Sequence, residues 1–335
     1  MKSLKIIILF ILVTIYGCKK DAGRESAPFP IIVTSENFTC EDTMLNWEKL
    51  PPDPPTGYNY YTEKANETVW RVLYDPHDRN VIYYTTNEGN NFHHLWKYNR
   101  LYGTKVFLDN NVLINLSISK NGWLAYEKQD KNIYIIKTNG DSLTKLTSKG
   151  TYLFPSWSED GKNVFYWDDS NPTGIIFKAN RKGIIIDTLK QIYSGVFQIK
   201  NFVYYLKFSN NVFYLVQRNL DNNIEKDIVT RAVGNTLGEN IMDFYTNDDN
   251  TILYWCGDHG LSKTDLTTLQ TTRIINGGNG SQNPTWNYKR SRINGRFIAV
   301  QYNQTFIDSF TIRATNKILE FKEDGSCRRT VKIPD

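Results

Sequence analysis

The sequence has few of the residues, and none of the motifs, that usually mark a catalytic or metal site. It holds four histidines and four cysteines among 335 residues, and neither set has the close spacing of a zinc site. A Gly-x-Ser-x-Gly elbow, His-Glu-x-x-His, a P-loop and an EF-hand loop are all missing. We therefore expect no cofactor and no metal ion, and no motif nominates a catalytic residue.

A strong charge of one sign is missing as well. The formal net charge is +5, and the basic residues are scattered along the chain rather than clustered in one run. A nucleic-acid-binding protein would carry a concentrated basic surface. We therefore expect no nucleic-acid partner.

Long apolar runs are confined to the start of the chain. Lys2 and Lys5 precede the apolar run Ile6–Ile15. This arrangement is typical of a secretion signal, and the run is too short for a permanent membrane helix. The residues IYGC that end at Cys18 resemble a bacterial lipobox, in which the chain is cut before a cysteine that carries lipid. The resemblance implies a lipidated Cys18 and binding to a membrane through this anchor.

Processing at this site would remove residues 1–17 as a lipoprotein signal peptide. Two lysines would leave with them, so that 318 residues with a net charge of +3 would remain. Lys19 stands where many inner-membrane lipoproteins have Asp, and the resemblance therefore implies an outer-membrane lipoprotein, facing the periplasm or the cell surface. An ordinary signal peptide followed by a chance cysteine is the alternative.

Residues 18–65 have the composition of a tether. They are polar at first, and later contain Pro51-Pro52-Asp53-Pro54-Pro55, which favours an extended, semi-rigid spacer. Three cysteines remain beyond Cys18, namely Cys40, Cys256 and Cys327. An oxidising compartment would allow one pair of them to form a disulfide, but the sequence does not select the pair.

From residue 66 to 335 a short apolar run recurs about every 40 residues. The runs begin at Val81, Trp123, Val164, Phe202, Ile252 and Phe297. Each combines β-branched and aromatic residues between turn residues, as expected for a strand that is covered on both faces. Further strands follow each run, so the repeat predicts an all-β, six-bladed β-propeller with four-stranded antiparallel blades. The alternatives are a seven-bladed propeller that uses residues before 66 and a pair of β-sandwiches, which would lack the longer period.

The third repeat, TYLFPSWSEDGKNVFYW, shows the pattern most completely. Asp160-Gly161 supplies a tight reversal, because glycine accepts the positive φ that such a turn needs. The pattern Pro-x-Trp-Ser-x-Asp-Gly-Lys before an aliphatic-aromatic strand resembles the repeat of TolB-like β-propellers. That resemblance implies a rigid disc whose central funnel binds proteins or small ligands, and we expect Trp157 to pack between blades.

Two hypotheses for function follow. The favoured one is a monomeric, lipid-anchored binding or scaffold module of the cell envelope with a protein or glycan partner. The alternative is a propeller-type hydrolase or lyase that acts on envelope glycan or peptide, with Asp168, Asp169, Asp243 and Asp308 as candidate carboxylates. Two carboxylates facing each other in the funnel would favour the enzyme.

The loops that join second to third strands lie on one face of a propeller, which we call the rim face. The predicted loops of this kind are Asn87–His94, Asp168–Thr173, Gly257–His259 and Gln301–Ile307. Long loops on a rigid scaffold tend to carry function. We therefore predict binding at the rim face by His94, Asp168, His259 and Tyr302.

Overall fold

The computed structural model is built from strands and turns, and no helix occurs in the part of the chain that it describes. The described residues are Cys40, 59–61, 69–87, 93–171, 174–190, 192, 194–209, 212–232, 241–257, 260–276, 285–291, 295–306 and 311–333. None of these residues belongs to a helix long and apolar enough to span a bilayer. The predicted signal peptide, Cys18 and most of the predicted tether lie outside the described residues.

The strands form consecutive four-stranded antiparallel units, and the first two units share a strand. Units one and two contain Val69–Tyr74 (β2), Val81–Asn87 (β3), His93–Asn99 (β4), Thr104–Ile118 (β5), Trp123–Lys128 (β6), Ile133–Lys137 (β7) and Thr144–Lys145 (β8). Unit three contains Tyr152–Trp157 (β9), Asn163–Asp168 (β10), Ile175–Asn180 (β11) and Ile185–Lys190 (β12). Unit four contains Ser194–Ile199 (β13), Phe202–Ser209 (β14), Val212–Asn219 (β15) and Glu225–Ala232 (β16).

The remaining strands complete two more units. Unit five contains Ile241–Thr246 (β17), Ile252–Gly257 (β18), Gly260–Asp265 (β19) and Thr271–Asn276 (β20). Unit six contains Thr285–Arg290 (β21), Phe297–Phe306 (β22), Thr311–Phe321 (β23) and Arg329–Val331 (β24), with Asn59–Tyr61 (β1) added in parallel to β23. The described strands are therefore consistent with the six blades that the repeat predicts, and each predicted run begins within one residue of a second strand.

The side chains of the second strands alternate between the two neighbouring units. In β3, Tyr83 packs into a cluster shared with unit two, whereas Tyr84 packs into a cluster shared with unit six. Further clusters join units two and three, three and four, four and five, and five and six. The apolar packing among the described residues thus closes on itself, and no single unit has a separate core.

The third unit has the turn that its motif predicts. Ser158 Oγ donates to Asp160 Oδ1 at 2.6 Å, and Asn163 N–H donates to Ser158 Oγ at 3.0 Å. Gly161 has φ 66°, and a Cβ there would lie 2.7 Å from Asn121 Nδ2 of the preceding blade. Glycine is therefore required by both conformation and space. Trp157 is buried between units two and three, as predicted.

The sixth unit has links to the chain ahead of the first blade. β1, which the sequence analysis assigns to the tether, pairs with β23 from Thr311 to Arg313. Cys40 and Cys327 form a disulfide with their Cα atoms 4.8 Å apart, and Cys256 is a buried free thiol. The structure thus selects the pair that the sequence left open.

Two predicted loops of the rim face are wrong in part. Gln301–Phe306 continue β22, because β23 pairs with that strand as far as Phe306↔Ile312. His94 belongs to β4, where it pairs with Thr86 of β3. In both places a strand contains polar residues that the sequence pattern assigns to a loop.

Candidate functional site

The first strands of the units surround one channel with a volume of about 430 Å³. Its wall is formed by residues of β2, β5, β9, β13, β17 and β21, with Cys256 from β18. Six aromatic residues are among those that line it, namely Trp70, Tyr74, Phe154, Phe197, Phe244 and Tyr245. A volume of roughly 300–1,000 Å³ with apolar walls is usual for a small-ligand site.

Irregular pairing turns polar side chains toward this channel. In each unit the register between the first and second strands shifts, at Val69/Arg71, Val112/Leu116, Phe165/Trp167, Ser194/Val196, Ile241/Asp243 and Trp286/Lys289. A β-bulge leaves extra residues on one strand and re-aims a side chain. Arg71, Asn115 and Asp243 line the channel at or beside these shifts.

The channel wall contains a charge cluster of Arg71, Asp243 and Lys289. These are the charged residues among the described residues that line the channel. Lys289 Nζ donates to Asp243 Oδ2, and the backbone N–H of Phe244 donates to Asp243 Oδ1 at 3.0 Å. First strands begin at the rim face, and Arg71 and Asp243 are each the third residue of theirs. Arg71 and Asp243 therefore lie in the half of the channel that opens toward the rim face, and Lys289, the fifth residue of β21, reaches Asp243 from nearer the other end.

The guanidinium of Arg71 is only sparsely paired. Its Nη1 donates to the backbone carbonyl of Trp70 at 3.0 Å, and no described carboxylate forms an ion pair with it. Burial lowers the pKa of Arg71, and the charge on Asp243 only partly offsets that effect. An arginine has five N–H donors, so most of the donors of Arg71 remain available to a molecule in the channel.

Glu127 lies behind this wall and is buried. Its Oε1 accepts hydrogen bonds from Asn115 Nδ2 at 2.8 Å and from the backbone N–H of Phe154. Phe154 has φ 54°, a left-handed conformation that is uncommon for a residue other than glycine. Burial raises the pKa of Glu127 to about 7 against the opposing effect of these hydrogen bonds. Glu127 thus changes charge near neutral pH, and its carboxylate form interacts electrostatically with Arg71.

Two further titratable groups next to the cluster are neutral at pH 7. Burial raises the pKa of the Cys256 thiol to about 12, and Asp243 acts in the same direction. Burial lowers the pKa of His93 to about 4, and its ring lies 5.7 Å from that of Trp70. Neither group adds charge to the channel.

The four residues predicted at the rim face have different surroundings. His94 is half-buried, with its ring 5.4 Å from Phe107 and 6.2 Å from Trp96. Asp168 is buried and accepts hydrogen bonds from Thr151 Oγ1 at 3.0 Å and from Ser170 Oγ at 2.6 Å. Neither lines the channel. His259 and the side chain of Tyr302 lie outside the described part of the structure, so binding by this set stays a prediction.

Of the charged residues in and behind the channel wall, the sequence predicts only Asp243, as one candidate carboxylate, and it does not predict Arg71, Glu127 or Lys289. A signal for the wall residues was present, because Arg71, Asn115, Asp243 and Lys289 each stand eight to ten residues before an apolar run. That spacing places them on the strand that lines the channel. Within the described residues, no group of three His, Cys, Asp or Glu side chains could hold a metal ion.

Comparisons with known proteins identify the fold. No protein-family model and no curated protein matches the sequence. A TolB described from Agrobacterium tumefaciens aligns with a TM-score of 0.53 and 14% identity, over 70% of this chain and 86% of that one. TolB from Acinetobacter baumannii gives a TM-score of 0.57 and 12% identity, over 79% of this chain and 66% of that one.

An acylaminoacyl peptidase from Pyrococcus horikoshii has a TM-score of 0.50 and 9% identity, over 76% of this chain. The present chain spans about half of that protein, since the alignment covers 51% of it. At these identities the similarity establishes architecture and not activity. Together with the sheet topology, it shows that this chain has an all-β fold similar to that of the TolB β-propellers, built from four-stranded antiparallel blades.

Proposed function

We propose that this protein is a lipid-anchored binding module of the cell envelope, whose ligand or partner enters the channel from the rim face. The observation that carries the proposal is the channel itself, with its aromatic wall and the charge cluster toward the rim face. Such a concave, largely apolar site with a few convergent polar groups is the usual form of a binding site. His94, Asp168, His259 and Tyr302 are proposed to contribute at the rim.

The wall favours binding over catalysis. A hydrolase or lyase that uses two carboxylates needs both to face the substrate. Of the described residues that line the channel, Asp243 is the one carboxylate, and it is paired with Lys289. The proposed partner is accordingly a protein or glycan that is bound and not cleaved.

The residues around Cys18 support the lipid anchor, and a disulfide supports the compartment. The sequence around Cys18 supplies the signal and the lipid site, and the Cys40–Cys327 disulfide fits an oxidising compartment outside the cytoplasm. We propose an outer-membrane lipoprotein that works as a monomer.

The anchor is tested by labelling cells with a radioactive or clickable palmitate. We expect the full-length protein to carry the label and to lose it in Cys18→Ala, which should also leave the membrane fraction or fail to mature. Cys256→Ala is the matched control and should keep the label. A wild-type protein without label would contradict the anchor.

The site is tested by photo-crosslinking in cells. A photoreactive phenylalanine analogue replaces Phe154 in the channel or His94 at the rim face, and Lys120 or Lys162 on the opposite face serves as the control. Mass spectrometry of the intact protein detects adducts of any size. We expect adducts from the first pair of positions. Adducts from Lys120 and Lys162 alone would place the working surface on the opposite face.

A further inference from the structure

The charge cluster has a property that a purely structural role does not account for. A charge that is partly withdrawn from water is usually compensated by a partner, because desolvating it without one is costly. Lys289 and Asp243 satisfy this rule with each other. Arg71 does not satisfy it among the described residues, since its one hydrogen bond is to the neutral carbonyl of Trp70.

The groups around Arg71 attract it without pairing with it. Asp243, and Glu127 when it is ionised, favour its charged form electrostatically. However, Asp243 is occupied by Lys289 and Phe244, and the hydrogen bonds of Glu127 come from Asn115 and Phe154. Among the described residues, the planar donor fork of Arg71 therefore lacks an anion of matching shape.

We infer that the channel recognises a carboxylate, which Arg71 binds through two parallel N–H···O hydrogen bonds. This inference rests on the proposed function, because it names the chemical group that enters the channel. Guanidinium and carboxylate have matching two-pronged geometry, and such bidentate pairs combine strength with orientation. The carboxylate is carried on a group with an apolar face, which packs against Trp70 and Phe154 in the same wall.

The charge of the wall selects a singly charged group over a doubly charged one. Arg71 and Lys289 contribute two positive charges and Asp243 one negative charge, so the described lining has a net charge of +1. A carboxylate neutralises this charge. A phosphate monoester carries up to two negative charges at neutral pH, and its second charge would face the carboxylate of Asp243.

A carboxylate can come from an acidic peptide or from an acidic sugar, and paired probes distinguish these sources. The peptide pair is N-acetyl-Phe-Glu-amide against N-acetyl-Phe-Gln-amide, and the sugar pair is methyl glucuronoside against methyl glucoside. Binding to the purified protein at pH 6.5 is followed by calorimetry and by tryptophan fluorescence, to which Trp70 in the channel wall contributes.

We expect the carboxylate member of at least one pair to bind about 10 to 100 times more tightly than its neutral partner, as a charge-assisted pair would produce. Arg71→Gln should reduce that ratio to about one. Arg181→Gln, the same substitution at an exposed position on blade three, should leave it unchanged. Arg71→Lys keeps the positive charge but not the two-pronged donor geometry, so we expect a preference for the carboxylate that is smaller than in the wild-type protein. This variant replaces Arg71→Gln as the test if Arg71→Gln does not fold.

Equal binding within both pairs, no binding of either carboxylate at millimolar concentration, or an unchanged ratio in Arg71→Gln would each overturn the inference. The photo-crosslinking experiment separates this failure from failure of the proposed function. Adducts from Phe154 with no carboxylate preference would leave channel binding in place and remove only the ligand class.

Discussion

Two buried glutamates in different regions of this propeller differ in the charged groups that surround them. Glu320 lies where blade six meets blade one, and it accepts hydrogen bonds from Tyr74 Oη, from Arg100 Nη1 at 3.0 Å and from Arg329 Nε at 2.6 Å. Glu127 lies behind the channel wall, and it is bonded only to an amide side chain and a backbone N–H. Both side chains are almost completely buried.

The pKa values of these two residues move in opposite directions. Burial would raise the pKa of Glu320, but Arg100, Arg329 and Tyr74 outweigh it, so that pKa lies below its ordinary value. Burial dominates at Glu127 and raises its pKa to about 7. The seam between blades is thus fully compensated, whereas the channel wall keeps a proton-dependent acid and a sparsely paired arginine. This contrast indicates that the seam serves stability, and it agrees with the proposal that a ligand binds at the wall.

The largest expected effect comes from breaking the compensated seam. Glu320→Gln would leave Arg100 and Arg329 without their anion, and we expect it to lower the free energy of unfolding by about 3–5 kcal/mol at pH 7. Because the pKa of Glu320 is depressed, its contribution is present above the ordinary glutamate pKa and is lost as the pH falls through the lower folded value. Urea unfolding measures both effects. Glu323→Gln is the control and should cost within about 1 kcal/mol.

The apolar cluster between blades two and three tests whether packing contributes as much to stability as the ion pairs of Glu320. Trp157→Ala, between blades two and three, should lower the free energy of unfolding by about 3–5 kcal/mol, because it leaves a cavity that the neighbouring strands cannot fill. Thermal unfolding followed by circular dichroism measures this. A melting temperature that does not change would show that Trp157 contributes no packing across this seam.

The uncompensated acid should behave in the opposite way. Glu127→Gln keeps an acceptor for Asn115 and Phe154 and removes the charge, so we expect it to stabilise the protein at pH 8 by about 3 kcal/mol, at 1.36 kcal/mol per pKa unit. A raised carboxyl pKa produces its penalty only as the pH rises above the ordinary value, and the penalty is complete above about 7. Unfolding measured at pH 4 and pH 8 checks this. Equal gains at both pH values would mean that charge is not the cause.

The smallest effect on stability is expected at the arginine of the channel wall. Arg71→Gln removes a partly buried charge that has no ion-pair partner among the described residues, and we expect the free energy of unfolding to change by about 1 kcal/mol or less, in either direction. Arg100→Gln is the matched substitution in the seam and should cost several times more, because it breaks a buried pair. Similar costs for the two variants would contradict the contrast between seam and wall.

The sequence predicts the second strands well because they are buried on both faces. The run at Trp123 or Ile252 is recognisable without knowledge of its neighbours, since each face needs apolar side chains. The continuous β5 was not predictable in this way, because its polar residues Asp109, Asn110 and Asn111 resemble a turn between two strands. Arg71 and Lys289 could not be predicted as a site, because they come together only when the first strands of the units surround the channel. A polar residue on one strand does not show which residues of other strands will lie beside it.

The link between the two ends of the described chain has a consequence for proteolysis. The Cys40–Cys327 disulfide joins residues 287 positions apart, so that strands β1 to β23 lie within one covalent loop and only β24 follows it. A protease that cuts a single exposed turn between blades, where nicking is commonest, would open the backbone without releasing a fragment. The nicked protein would keep its apparent size on a gel without reductant and separate into two pieces only after reduction, so a bound partner could survive a cut that would dissociate an unlinked chain.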